Sequence, residues 1–121
     1  MEYKHKVYDK VYNWIITKKK DVEVRTLEGK DEKIQVGDYI TFYNLDYEEK
    51  FVKVKVIAKD IFSNVEEILK KYDISHIMPS HSPNDIKETM IKIYGKEVIE
   101  KKLVAFKIEY ISSDNDNNIN H

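Results

Sequence analysis

The segment between residues 18 and 25 holds the densest set of side chains that could do chemistry. It reads Lys-Lys-Lys-Asp-Val-Glu-Val-Arg. Because residues two apart on a strand share a face, Glu23 and Arg25 are expected to point the same way, with Lys20 reaching that side from the strand entrance. Such a carboxylate, guanidinium and ammonium would suit a polar ligand. The same pattern is also typical of an exposed strand face with paired charges, and the residues alone favour that plainer interpretation.

Histidine and serine motifs add little to this candidate site. The four histidines are His5, His76, His81 and His121. They show neither His-x-His nor His-Glu-x-x-His spacing, so we expect no metal site and no cofactor. Ser80 and His81 are adjacent, but sequence neighbours rarely form a nucleophile and base pair. The chain has no cysteine, which excludes a disulfide framework, a cysteine nucleophile and a thiolate metal site.

Length and charge predict one domain without a strongly basic body. The chain has 121 residues, with 21 basic and 22 acidic side chains and a net charge of −1. We expect residues 1–111 to form the domain and residues 112–121, which are polar and rich in asparagine, to be a disordered tail. No apolar run is long enough to span a membrane and the first residues lack an apolar signal core, so a cytoplasmic protein is predicted.

Hydrophobic periodicity predicts elements in the order helix, strand, strand, strand, helix, helix, strand. The predicted ranges are about residues 6–17 for the first helix, 22–25, 39–43 and 51–58 for three strands, 63–72 and 82–94 for two helices, and 103–111 for the last strand. Ser63 and Glu66 have the spacing of a capping box, and Ser82 precedes a proline at a helix start. This order favours an α+β fold, with a small curved sheet or barrel and helices at its ends.

Several segments, in order, resemble the ASCH domain family, the activating-signal-cointegrator homology domain. The similar segments are residues 14–25 (the Lys-Lys-x-x-Glu-x-Arg signature), 34–42 (Ile-x-x-Gly-Asp-x-Ile-x-Phe), 52–69, 78–94 and 103–108. The resemblance covers about residues 7–111. It implies a PUA-like fold, a mixed β-barrel with peripheral helices, and a role in RNA metabolism through binding of RNA or a modified nucleoside in a charged cleft.

The resemblance also implies which residues face that cleft. Its signature places Lys19, Lys20, Glu23 and Arg25 there, and its proline segment brings Ser80 and His81 to the border of the cleft. Lys18 and Asp21 depart from the pattern, because the family has glycine and threonine at those positions.

Two other functions stay open at this point. One ASCH branch, similar to the bacterial acetylcytidine amidohydrolase, is enzymatic, and its lysine matches Lys20. Glu23 stands where that branch has its threonine, so catalysis here would need Glu23 as general base and Lys20 as oxyanion partner. The remaining alternative is a protein-interaction module whose charged cleft is incidental.

Overall fold

The computed structural model describes residues 1–118, which form a curled, five-stranded mixed sheet flanked by helices. The strands are β1 (Glu2–Val7), β2 (Val22–Thr26), β3 (Tyr39–Asn44), β4 (Phe51–Phe62) and β5 (Leu103–Ser113). Their order in the sheet is β1-β3-β4-β5-β2, with β1 parallel to β3 and the other pairs antiparallel. The α+β class is therefore confirmed. The barrel is a half-barrel, in which β1 and β2 are the two edges.

The helices pack against the sheet, and the first of them contributes Tyr12 and Ile15 to the core inside the curl of the sheet. They are α1 (Asp9–Ile16), α2 (Lys30–Lys33), α3 (Val65–Lys71), α4 (Ile74–Ile77) and α5 (Pro83–Tyr94), with 3₁₀ segments at Lys96–Glu100 and Asp114–Asn118. Within the described residues, no helix is both long and apolar enough to cross a membrane.

The first strand, β1, was not predicted, and the first helix begins later than the sequence suggests. The apolar spacing predicts a helix over about 6–17 that includes Val7, but Val7 is the last residue of β1, and α1 starts at Asp9. The strand shows the alternation of buried and exposed side chains that is typical of β-structure, because His5 and Val7 are buried while Lys4 and Lys6 are exposed. Its hydrogen-bonding partner is β3, more than 30 residues further on, and a local pattern cannot show that pairing.

Helix capping agrees with the sequence for α5 and differs for α3. The α5 helix begins at Pro83, and the Asp85 carboxylate accepts a hydrogen bond from the Ser82 backbone N–H at 2.9 Å. The prediction that Ser63 caps α3 is wrong. Asn64 is the cap, and its Oδ1 accepts from the Glu67 N–H at 2.9 Å. Serine and asparagine are both good N-cap residues, so the sequence pattern placed the start of α3 one residue too early.

Two hydrophobic clusters lie on opposite faces of β5. The barrel cluster fills the curl of the sheet and includes Ile40, Phe42, Val52, Val54, Val56, Val104, Phe106 and Ile108. The helical cluster lies under the helices and includes Val22, Ile68, Ile77, Ile86, Met90, Leu103 and Ala105. Since successive residues of β5 alternate between the two clusters, this strand is buried on both faces.

Secondary structure and side-chain hydrogen bonds continue past residue 111 into the segment predicted as the tail. The strand β5 continues to Ser113, two residues past the predicted boundary at 111. Asp114 accepts hydrogen bonds from the Tyr12 hydroxyl and, at 3.1 Å, from the Phe51 N–H. Asp116 accepts from the Tyr110 hydroxyl at 2.9 Å. Hydrogen bonds of this kind leave no hydropathy signal; residues 119–121 of the predicted tail lie outside the described residues.

Candidate functional site

A cleft opens where the half-barrel is not closed, between the edge strands β1 and β2. Its volume is about 490 Å³, within the size range typical of small-molecule sites. The end of β1, α1, β2, α4 and α5 all contribute to its wall. Most of the lining is apolar, and Tyr8, Trp14 and Tyr94 supply aromatic surface. Glu23 and Arg25 both line it from β2, and their side chains lie 3.4 Å apart, as expected for residues that share a strand face.

Lys20 is buried at the cleft and uses all of its hydrogen-bonding capacity. Its side chain is only 5% exposed. The ammonium lies 3.2 Å from Glu23 Oε1 and donates to the carbonyl oxygens of Val22 at 2.8 Å and Ile77 at 2.9 Å. An ammonium has three N–H donors, so none is left for a ligand. Lys20 therefore ties β2 to the end of α4.

Arg25 continues this network toward the other edge of the sheet. Its Nη1 lies 3.4 Å from Glu23 Oε2, and its Nε lies 3.5 Å from Asp31 Oδ2. Asp31, on α2, is in turn 2.6 Å from the Nε2 of His5 on β1. We call these five side chains, from Lys20 to His5, the bridging network. It connects two edge strands that are not neighbours in the sheet.

Electrostatics in the bridging network favour an ionised glutamate. Burial alone would raise the pKa of the Glu23 carboxyl, but the positive charges of Lys20 and Arg25 outweigh burial and hold that pKa below its ordinary value. The network holds two cations, Lys20 and Arg25, and two carboxylates, Glu23 and Asp31, so these four charges balance. The buried Arg25 Nε has no hydrogen-bond partner among the described residues.

Tyr94 places a hydroxyl in the cleft near this network. Burial raises the pKa of this hydroxyl, which stays protonated at neutral pH and can both donate and accept a hydrogen bond. The described hydrogen bonds include none to it. Tyr94 is the last residue of α5, and Gly95, with φ of 91°, ends the helix directly after it.

The two positions that depart from the ASCH pattern both have a physical account. Lys18, at the family's glycine position, has φ of 63°, a left-handed conformation that glycine adopts without strain. Its N–H donates to the carbonyl of Ile15 at 3.0 Å, as in a Schellman motif. Asp21, at the threonine position, lies 2.7 Å from His76 Nδ1 and 3.3 Å from Lys107 Nζ, so its carboxylate has partners of its own.

The structure does not gather every residue expected at the site. Lys19 is exposed and does not line the cleft. Ser80 is exposed as well, with φ of 67°. His81 Nε2 is 2.9 Å from the Lys10 ammonium, and its ring packs edge-on against Trp14, at 5.7 Å between centroids. His81 therefore does not line the cleft itself but packs against Trp14, which does.

Several residues of the site are not predicted from the sequence, among them His5, Trp14, Asp31 and Tyr94. Trp14 and Tyr94 fit apolar helix faces, where an aromatic residue is more often core than cleft wall. The alternation of Tyr3, His5 and Val7 could have pointed to His5, but Asp31 sits in a loop-like sequence without a distinguishing signal. No three His, Cys, Asp or Glu side chains between residues 1 and 118 are grouped to hold a metal ion.

Comparison with known proteins gives structural matches. No protein-family model matches the chain, and no curated protein matches it. The crystal structure of hypothetical protein PH0355 superposes with a TM-score of 0.79 at 26% identity, covering 92% of this chain and 100% of that one. The solution structure of protein PF0455 from Pyrococcus furiosus gives 0.73 at 24% identity, covering 93% and 99%. The crystal structure of ASCH from Zymomonas mobilis gives 0.64 at 16% identity, covering 93% and 71%.

Proposed function

Since the chain has the fold of the ASCH domain, a PUA-like architecture, we propose that it binds RNA or a modified nucleoside in the cleft between β1 and β2. The observation that carries the proposal is the cleft itself, about 490 Å³ in volume, with aromatic and apolar walls and an arginine–glutamate pair at one side. A nucleobase needs this combination of flat apolar surface and a few fixed polar groups.

Each wall of the cleft has a role in this proposal. Trp14 offers a face on which a base can stack, an interaction worth about 1–3 kcal/mol. The outer N–H groups of Arg25, which are paired with neither Glu23 nor Asp31, can donate to a base carbonyl. Glu23 can accept from an exocyclic amine, because each carboxylate oxygen has a second lone pair. Lys20 supports the wall and does not contact the ligand, since its donors are already used.

Hydrolysis of an acetylated nucleoside is less well supported than binding. A general base works best with a pKa near the working pH, whereas the pKa of Glu23 is held low. An oxyanion partner needs a free donor, and Lys20 has none. Turnover is therefore an outcome to be measured beside binding.

The cytoplasmic location expected from the sequence stays a prediction.

Calorimetric titration with cytidine, N4-acetylcytidine and a short single-stranded RNA tests the proposal. We expect at least one of these probes to bind. The Tyr94 hydroxyl, which lines the cleft, would then hydrogen-bond to the ligand, so Tyr94→Phe should weaken the binding about fivefold through loss of that hydrogen bond. The matched control is Tyr43→Phe, because Tyr43 is partly buried but does not line the cleft.

Chromatography of the same mixtures then detects any release of cytidine from N4-acetylcytidine. Release that Glu23→Gln abolishes would make the protein an amidohydrolase. Folded protein that binds none of the probes would overturn the proposal.

A further inference from the structure

Charge is distributed unevenly around the cleft, and, resting on the proposed function, this distribution indicates which kind of molecule carries the bound base. Inside, the cations Lys20 and Arg25 are paired with the carboxylates Glu23 and Asp31, so the interior has no unbalanced charge. Most of the remaining lining is apolar. The interior therefore suits an uncharged group, because an anion placed there would lose its hydration without gaining an unpaired cation.

The mouth of the cleft is different, because two of its lining residues are exposed lysines. They are Lys6 on β1 and Lys92 on α5. Neither makes an ion pair within the part of the chain that the structure describes. The chain as a whole has a net charge of −1, so this local excess does not follow from its composition.

We propose that Lys6 and Lys92 bind the phosphates that flank a nucleotide whose base occupies the cleft. The ligand is then one unpaired nucleotide within a single strand of RNA. Its uncharged base enters the apolar interior, while its phosphates stay hydrated at the mouth, where lysine can neutralise them. Since the two lysines belong to different elements of the wall, they can meet phosphates on two sides of one nucleotide. A base paired in a duplex could not enter, so a single strand is required.

Calorimetry with two probes distinguishes the contribution of the two lysines to binding from the contribution of the cleft interior. The probes are free N4-acetylcytidine and a nine-nucleotide single-stranded RNA with that nucleotide at its centre. Two phosphate contacts on a single strand give a slope of about −1.4 in log affinity against log salt, or roughly a sevenfold loss between 50 and 200 mM. We expect the double variant Lys6→Gln/Lys92→Gln to lose most of this slope with RNA, and to bind the free nucleoside within about twofold of wild type.

The control is Lys70→Gln/Lys102→Gln, which removes the same charge from exposed lysines that do not line the cleft. Equal effects of the two double variants on RNA binding would overturn the inference. So would binding of the nucleoside without binding of the RNA, an outcome that leaves the proposed function intact. A third probe, cytidine 3′,5′-bisphosphate, distinguishes a free nucleotide from a strand. Its binding without binding of the RNA would show that the lysines hold the phosphates of a free nucleotide, and would overturn the inference that the ligand is an RNA strand. Failure of every probe would overturn the proposed function as well.

Discussion

Lys20 is the residue whose role the structure changes most. A lysine beside a glutamate in a family signature suggests a ligand contact, but this ammonium is saturated by Glu23 and two backbone carbonyls. Removing one partner of a buried, hydrogen-bonded ion pair leaves the remaining groups unpaired, which costs about 3 kcal/mol or more.

We therefore predict that Lys20→Met lowers the free energy of unfolding by about 3 kcal/mol in urea titration. Lys19→Met is the matched control, because the neighbouring lysine is exposed, and it should change stability by less than about 0.5 kcal/mol. Equal stability of the two variants would contradict a structural role for Lys20 and would favour a role in contacting the ligand.

Glu23 gives the bridging network a pH dependence of known sign. Because its pKa is lower in the folded protein than in the unfolded chain, its charged form adds stability above the unfolded value, about 4.3. That contribution is lost as the pH falls through the lower, folded value.

Urea titrations of the wild type and Glu23→Gln between pH 3 and 7 should therefore differ most at neutral pH. The gap in unfolding free energy should narrow below about pH 4, where the wild type loses this ionic contribution. A gap that stays constant down to pH 3 would show that Glu23 does not titrate differently in the folded protein.

The sequence predicted part of this site, for a clear physical reason. Glu23 and Arg25 share a face because the side-chain period of a strand is two, and that rule is local. Their connection through Asp31 to His5 depends on how the sheet curls and where α2 lies. Contacts between residues more than 20 positions apart leave no trace in a single sequence.

At the scale of elements, the turn from α1 into β2 is held by an unusual residue. Lys18 adopts φ of 63°, where a side chain with a Cβ costs about 1–2 kcal/mol. Its N–H nevertheless makes the hydrogen bond that a glycine would make in this motif. The backbone of the turn therefore fits the ASCH pattern while the residue does not.

We predict that Lys18→Gly raises the free energy of unfolding by about 0.5–1 kcal/mol, the relieved strain less the added freedom of glycine in the unfolded chain. Thermal and urea unfolding would measure the change. Lys19→Gly, one residue further along at a position without positive φ, should instead be neutral or destabilising. A Lys18→Gly variant no more stable than Lys19→Gly would show that the turn stores no strain.

Helices and strands that have a clear hydrophobic pattern within their own segment were predicted well. Strands that depend on pairing with residues far along the chain were predicted poorly. The apolar faces of α1 and α5 and the alternation in β2, β3 and β4 are local patterns. The strand β4 still runs four residues past its predicted end, because Lys59 to Phe62 pair with β5 near the other end of the chain. The edge strand β1 was missed for the same reason.

At the scale of the whole molecule, β5 makes the barrel cluster and the helical cluster interdependent. Its residues enter the two clusters alternately, Leu103 and Ala105 on one side and Val104 and Phe106 on the other. A strand with both faces buried cannot lose one cluster without weakening the other. The two cores should therefore unfold together, although one lies inside the sheet and the other under the helices.

We predict that Val54→Ala in the barrel cluster and Ile68→Ala in the helical cluster each lower stability by about 2–4 kcal/mol. Each should still give one cooperative transition, with far-UV and near-UV circular dichroism coincident in urea. Separate transitions in either variant would show that the clusters are independent.

The chain contains one tryptophan, and it stands in the wall of the cleft. The emission of an indole responds to the polarity around it and to a ring stacked on it. Since no other indole is present, emission excited at wavelengths that tyrosine does not absorb comes from this one side chain, whose ring lies 5.1 Å from the Lys10 ammonium. The fluorescence of Trp14 can therefore report, without any added label, both ligand binding in the cleft and unfolding of the cleft wall.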